Sequence, residues 1–156
     1  MKNFIFISVL LFAFYGCDIF TDSNDNSNPL HKSILSNEVE FSVEIPNSSY
    51  SLFDTLNIVF KVKNISNLPK EFNFANMQQL AFELIDKNKN VAMFYPYIVS
   101  PALSRFTVNP GETKVLSISS LLKHHSGNFI NKGQYTLSVF LADRNSPKLD
   151  LYIFVY

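Results

Sequence analysis

An all-β antiparallel sandwich of about 7–9 strands is what this 156-residue chain predicts. Three observations point there. Short runs alternate apolar and polar residues with period two. The breaks between them carry turn residues. No window holds a helical period beyond a single turn near Ser119–Lys123. A hydrophobic content of 47% against 17% charged makes one well-filled core feasible.

The chain opens with a different signal. Lys2 and the amino terminus are positive, Phe4–Tyr15 is apolar with one serine, and Gly16 precedes Cys17. A charged start, an apolar run and a small residue are the parts of a secretory signal, here residues 1–16. The run is short of the ~18 residues a spanning helix needs. Cys17 is the only cysteine, so no disulfide can form within the chain. The segment resembles a bacterial lipobox, in which a cysteine after a small residue is acylated. Gly16 fits that pattern, whereas Phe14 and Tyr15 are larger than is usual there. The resemblance implies lipidation at Cys17, a membrane lipid as first partner, and an extracytoplasmic place in a bacterial cell envelope. Residues 17–37 are rich in Asp, Asn and Ser and read as a flexible, lipid-anchored tether reaching roughly 25 Å.

The folded domain is expected over residues 38–156. Val39, Phe41, Val43 and Ile45 alternate with Glu40, Ser42 and Glu44. Leu56, Ile58, Phe60 and Val62 repeat the pattern, as do Tyr135, Leu137, Val139 and Leu141. Shorter strands are expected at Lys70–Phe74, Gln79–Asp86, Val91–Tyr95, Arg105–Val108 and Thr113–Ser119. Asp86–Asn90 suits a hairpin, Asn109-Pro110-Gly111 suits a type II turn, and Asn131–Gly133 is a further break. The last strand, Leu149–Val155, sets an apolar face against an aromatic one of Tyr152 and Phe154, which Tyr156 extends. That aromatic face is expected to be covered, by the sandwich or by the tether.

Chemistry is sparsely signalled. The formal net charge is zero, so no basic surplus calls for nucleic acid. His124 and His125 are adjacent; on a strand they would point to opposite faces, which makes a poor metal site, and none is expected. Asp22–Asn26 and Asp86–Asn90 both read D-x-N-x-N, the opening of a calcium loop. The glycine and glutamate that such a loop needs are replaced by Ser27 and Ser33 in one, and by Val91 and Tyr97 in the other. Four glycines cannot build a phosphate loop, and no nucleophile elbow is present. A non-catalytic protein without a cofactor is therefore expected.

From Tyr50 to Ala142 the order of motifs resembles a BsuPI-type domain, a family named for an intracellular proteinase inhibitor. The resemblance rests on LNIVFKVKNIS (Leu56–Ser66), LAFELIDKNKNVAMFYP (Leu80–Pro96), VNPGE (Val108–Glu112) and GQYTLSVFLA (Gly133–Ala142). The family's hairpin glycine is missing within Lys87–Asn90, where Asn can adopt the left-handed conformation. Its tryptophan after the P-G-E strand is missing too, leaving Leu121 or Leu122 to fill that space. The resemblance implies an immunoglobulin-like sandwich and a protein partner, with a serine protease as the leading class. A substrate-like inhibitor needs an exposed, rigid loop. The stretches that qualify are Phe94–Arg105, with Phe94, Tyr95, Pro96, Tyr97 and Arg105, and Leu122–Lys132, with His124 and His125. The alternatives are an assembly module of the envelope or a glycan binder using Tyr95, Tyr97, Tyr152 or Tyr156.

Overall fold

The computed structural model describes residues 29–156 apart from residue 144. The segment expected to be a secretion signal, and Cys17, lie outside the described residues. In chain order the strands are β1 (Leu30–Ser36), β2 (Val39–Ile45), β3 (Ser49–Tyr50), β4 (Thr55–Asn64), β5 (Lys70–Phe74) and β6 (Leu80–Asp86). They continue with β7 (Val91–Tyr95), β8 (Ser104–Val108), β9 (Thr113–Leu121), β10 (Gly133–Leu141) and β11 (Leu149–Val155). One sheet has the order β1-β2-β4-β9 and the other β3-β11-β10-β6-β7; β5 and β8 form a separate pair. All neighbours run antiparallel except β3, which lies parallel to β11. The chain is thus an all-β, immunoglobulin-like sandwich.

The alternation in the sequence becomes the core. Val39, Phe41, Val43 and Ile45 of β2 and Leu56, Ile58, Phe60 and Val62 of β4 are all buried. Facing them are Phe82 and Leu84 of β6, Leu137, Val139 and Leu141 of β10, and the apolar face of β11. Each such side chain contributes about 1.5–3 kcal/mol when fully buried. Of the two leucines offered for the missing tryptophan, Leu122 is buried and Leu121 is exposed.

Two strands exceed the expected set. Leu30–Ser36, read from sequence as the end of the tether, is β1, paired over its whole length with β2. Asn37 and Glu38 both have positive φ (50° and 60°) between the paired Ser36 and Val39. That is the type I′ geometry that two-residue hairpins favour. The tether reading is therefore corrected from residue 30 onward. β3 is only two residues long. The single helical turn expected near Ser119–Lys123 is absent, because β9 runs on to Leu121.

The turns follow their chemistry. Gly111 has φ 75° and the Glu112 N–H donates to the Asn109 carbonyl at 2.9 Å, a type II turn. In the β6–β7 hairpin the Asp86 carboxylate accepts from the backbone N–H of Asn88 (2.8 Å) and of Asn90 (2.9 Å). Those bonds, first the one from Asn90, hold the Asp86 carboxyl below its usual range. The left-handed residue there is Lys89 (φ 68°), not an Asn as expected. At the start of β10 the Tyr135 hydroxyl donates to the Asn131 carbonyl at 2.7 Å. This is the tyrosine corner of immunoglobulin-like sandwiches, and it explains the G-x-Y motif structurally.

Strand register defines two ends. At the entry end β1 and β4 begin, β9 finishes, and Leu52 N–H donates to the Tyr156 carbonyl. Asn64, Leu80 and Leu141 mark the far end, across the nine residues of β10, roughly 28 Å away.

Candidate binding site

The segment that follows β7 leaves the sheet edge and crosses to the far end before β8 begins. Tyr97 fixes its start: the hydroxyl donates to the Lys123 carbonyl. Its ring meets Phe94 edge-on at 5.1 Å and lies 6.0 Å from the His125 ring. The two stretches singled out from sequence, Phe94–Arg105 and Leu122–Lys132, are therefore brought together through one side chain. Burial raises the Tyr97 hydroxyl above the usual phenol range.

Further along, the Ser100 N–H donates to Gln78 Oε1 at 3.1 Å and the Ser100 carbonyl accepts from Met77 N–H at 3.3 Å. The Ser104 hydroxyl closes the segment by donating to the Asn76 carbonyl at 2.6 Å. Between these ties, Ile98 is 86% and Leu103 84% exposed. Apolar side chains are thus held outward on a loop pinned at three points.

The other sequence candidates divide. Tyr95 stacks on Phe82 at 5.9 Å and serves the sheet; its bond to Pro96 is cis. Arg105 is exposed on β8, opposite Asn73. His124 shapes a turn, its carbonyl accepting from Gly127 N–H and its N–H donating to the Asn128 carbonyl. His125 is exposed beside Tyr97. Among the described residues no three His, Cys, Asp or Glu side chains cluster so as to hold a metal.

A second surface lies on the outer face of the larger sheet. Tyr152 is 78% exposed, with Phe154 and Tyr156 also open. The coverage expected for this aromatic face is not found among the described residues, since β1 caps the other sheet instead. An open groove of about 500 Å³ runs beside Tyr152 and Phe154, lined also by Gln134, Thr136, Lys87 and Lys89. Sequence reading missed a third feature at the entry end. Phe53 meets Phe129 edge-on at 4.9 Å, and Lys123 Nζ sits 4.3 Å from the Phe129 ring centroid. The partners are far apart in sequence, and nothing local signals the contact.

No family model and no curated protein matches this chain. Among solved structures it is similar to the Pseudomonas fluorescens alkylpurine DNA glycosylase AlkC bound to DNA containing an abasic site analog. That match has 12% identity and a TM-score of 0.50, over 76% of this chain and 30% of the other. It is also similar to the β-glucosidase EmGH1 from Erythrobacter marinus, at 11% identity and TM-score 0.48, over 83% and 15%. A third is the CARDB domain of the PF1109 protein from Pyrococcus furiosus in complex with di-metal ions, at 11% and 0.41, over 83% and 94%. The chain spans 15% of the length of EmGH1. At such identities the likeness concerns the fold alone.

Proposed function

We propose that this chain is a non-catalytic, membrane-anchored binding module of the bacterial cell envelope, and that its partner is a protein, with a serine protease as the leading class. The anchor in this reading is the acylated Cys17, at the end of the apolar amino-terminal run. The BsuPI-type resemblance belongs to the same proposal. The observation that supports it best is the loop at residues 96–103. It is tied down at Tyr97, Ser100 and Ser104, yet it leaves Ile98 and Leu103 almost fully exposed. A loop ordered before binding loses little conformational freedom on docking, and exposed apolar anchors are what a protease pocket accepts.

The test uses the whole chain extracted in detergent against a panel of serine proteases. Inhibition of at least one is expected, weakened roughly tenfold or more by Ile98→Asp or Leu103→Asp. Full protease activity across the panel would count against inhibition. It would favour the alternatives, an envelope assembly module or a glycan binder using the exposed Tyr152.

A further inference from the structure

The entry end of the sandwich collects two kinds of side chain. Phe53 is 73% exposed and Tyr156 56%. Phe129 packs beside Phe53, and Phe154 is open on the adjoining strand. Around them stand Lys87 and Lys89 on the β6–β7 hairpin, Lys123 over the Phe129 ring, and Lys132. Lys87, Lys132 and Phe154 line one recess. Of the carboxylates at this end, Glu44 pairs with Lys61 at 3.4 Å, and Asp54 and Asp86 are both engaged in their own turns. Asp54 accepts from Ser51 N–H at 2.6 Å, and Asp86 accepts from Asn88 and Asn90. Beyond the Glu44–Lys61 pair, four lysines against two carboxylates give this end a positive balance in a chain whose formal net charge is zero.

The same end is where the described chain begins. Leu30 pairs with Ile45, the last residue of β2, and the chain re-enters as β3 at Ser49 beside Phe154. Twelve residues (18–29) separate Cys17 from Leu30, which caps their separation at about 45 Å even when fully extended. The leash attaches at this end, although its full length exceeds the roughly 28 Å of the sandwich and does not by itself orient the domain. Exposed aromatic rings with lysines around them suit the boundary between lipid headgroups and acyl chains.

We infer that the entry end, through Phe53, Phe129, Tyr156 and the surrounding lysines, docks on an anionic lipid surface. This rests on the anchoring reading of Cys17 and adds a contact that the anchor alone does not require. Tethering raises the effective concentration of lipid, so a contact too weak to bind from solution becomes populated. The lysine share of it is screened by salt.

The chain contains no Trp, so one introduced Trp reports its own depth. The experiment incorporates the whole acylated chain into phosphatidylcholine vesicles containing phosphatidylglycerol with brominated acyl chains. Phe53→Trp reports on the entry end, Tyr156→Trp duplicates it, and Leu68→Trp reports on the far end, where Leu68 is 66% exposed. Both entry-end reporters should be quenched at least twofold more than the far-end one. Lys87→Glu with Lys132→Glu, or high salt, should reduce that difference while the protein still floats with the vesicles. Equal quenching at the two ends, or none at either in protein that floats, overturns the docking and leaves the anchor standing. Protein that does not float overturns both.

Discussion

Two buried polar side chains sit at opposite ends of the sandwich and are treated in opposite ways. At the far end Asn64 is fully buried and every polar atom it owns is matched. Its Nδ2 donates to the carbonyls of Leu68 (2.7 Å) and Val108 (2.9 Å), and its Oδ1 accepts from the N–H and hydroxyl of Ser66 (2.9 and 2.7 Å). Its backbone pairs with Glu112 and Gly111, the last residues of the type II turn. One side chain thereby fastens the β4 exit, the 66–68 turn and the end of β8. At the entry end Tyr50 is just as buried, yet among the described residues its hydroxyl makes no hydrogen bond of ordinary geometry, the Asn47 backbone being the polar group beside it. Around Asn64 polar bonds fix one geometry, whereas around the Tyr50 hydroxyl apolar contact fills space without fixing direction.

The sharpest way to break this comparison is Asn64→Leu. The change is close in volume, but it takes the side-chain partner from the Val108 carbonyl and the Ser66 N–H, while the Leu68 carbonyl keeps its bond from the Ser66 hydroxyl. Each unsatisfied group costs about 1–3 kcal/mol, so a loss of about 2 kcal/mol or more is expected. Urea unfolding measures it, and amide exchange should quicken first at residues 66–68. A loss below about 1 kcal/mol would mean that water reaches the site and that the Asn64 bonds do not fix its geometry.

Tyr97→Phe is expected to have a smaller effect. It removes a single bond, the one to the Lys123 carbonyl, from a half-buried ring that keeps its contacts with Phe94 and His125. The expected cost is about 1 kcal/mol. Its signature is local: faster exchange at residues 98–100 with the far-end amides unchanged. Should those amides stay as protected as before, Ser100 alone holds the loop and Tyr97 is only packing.

How much of this was legible follows from which contacts are local. β2, β4, β10 and β11 announce themselves because one buried face imposes period two on their residues. β1 did not, because an edge strand that carries His31, Lys32 and Ser33 outward has the composition of a linker. Its I′ turn is Asn37-Glu38 without the glycine that usually marks one. β3 is too short to show any period. Alternation also fails to say whether an outer face is covered, which is why Tyr152 and Phe154 were expected under cover and stand open. Two of the loop residues singled out from sequence, Tyr97 and His125, meet in space. Tyr97 as the link between the two loops, and Phe53 against Phe129, depend on contacts between distant residues that no local pattern encodes.

Tyr50→Phe should give the smallest effect at neutral pH and the most telling one at high pH. Burial pushes the Tyr50 phenol up to about 12; the Asp54 charge adds to the rise and the nearby Asn47 backbone opposes it. The folded state thus binds this proton more tightly than the unfolded chain, whose phenol titrates near 10. The stabilisation from keeping Tyr50 neutral is complete below pH 10 and is lost as the pH rises from 10 to about 12. The limiting slope is about 1.4 kcal/mol per pH unit for one proton. Tyr97 and Tyr135, also raised by burial, steepen the loss in the same direction. Removing the hydroxyl deletes an unmatched polar atom, so Tyr50→Phe should be neutral or stabilising by up to about 1 kcal/mol at pH 7. Its stability should also fall less between pH 10 and 12. A variant clearly less stable at pH 7 would mean that the hydroxyl has a partner, and the contrast with Asn64 would collapse. An unchanged alkaline slope would shift the titration to Tyr97 and Tyr135, leaving Tyr50 buried but electrostatically silent.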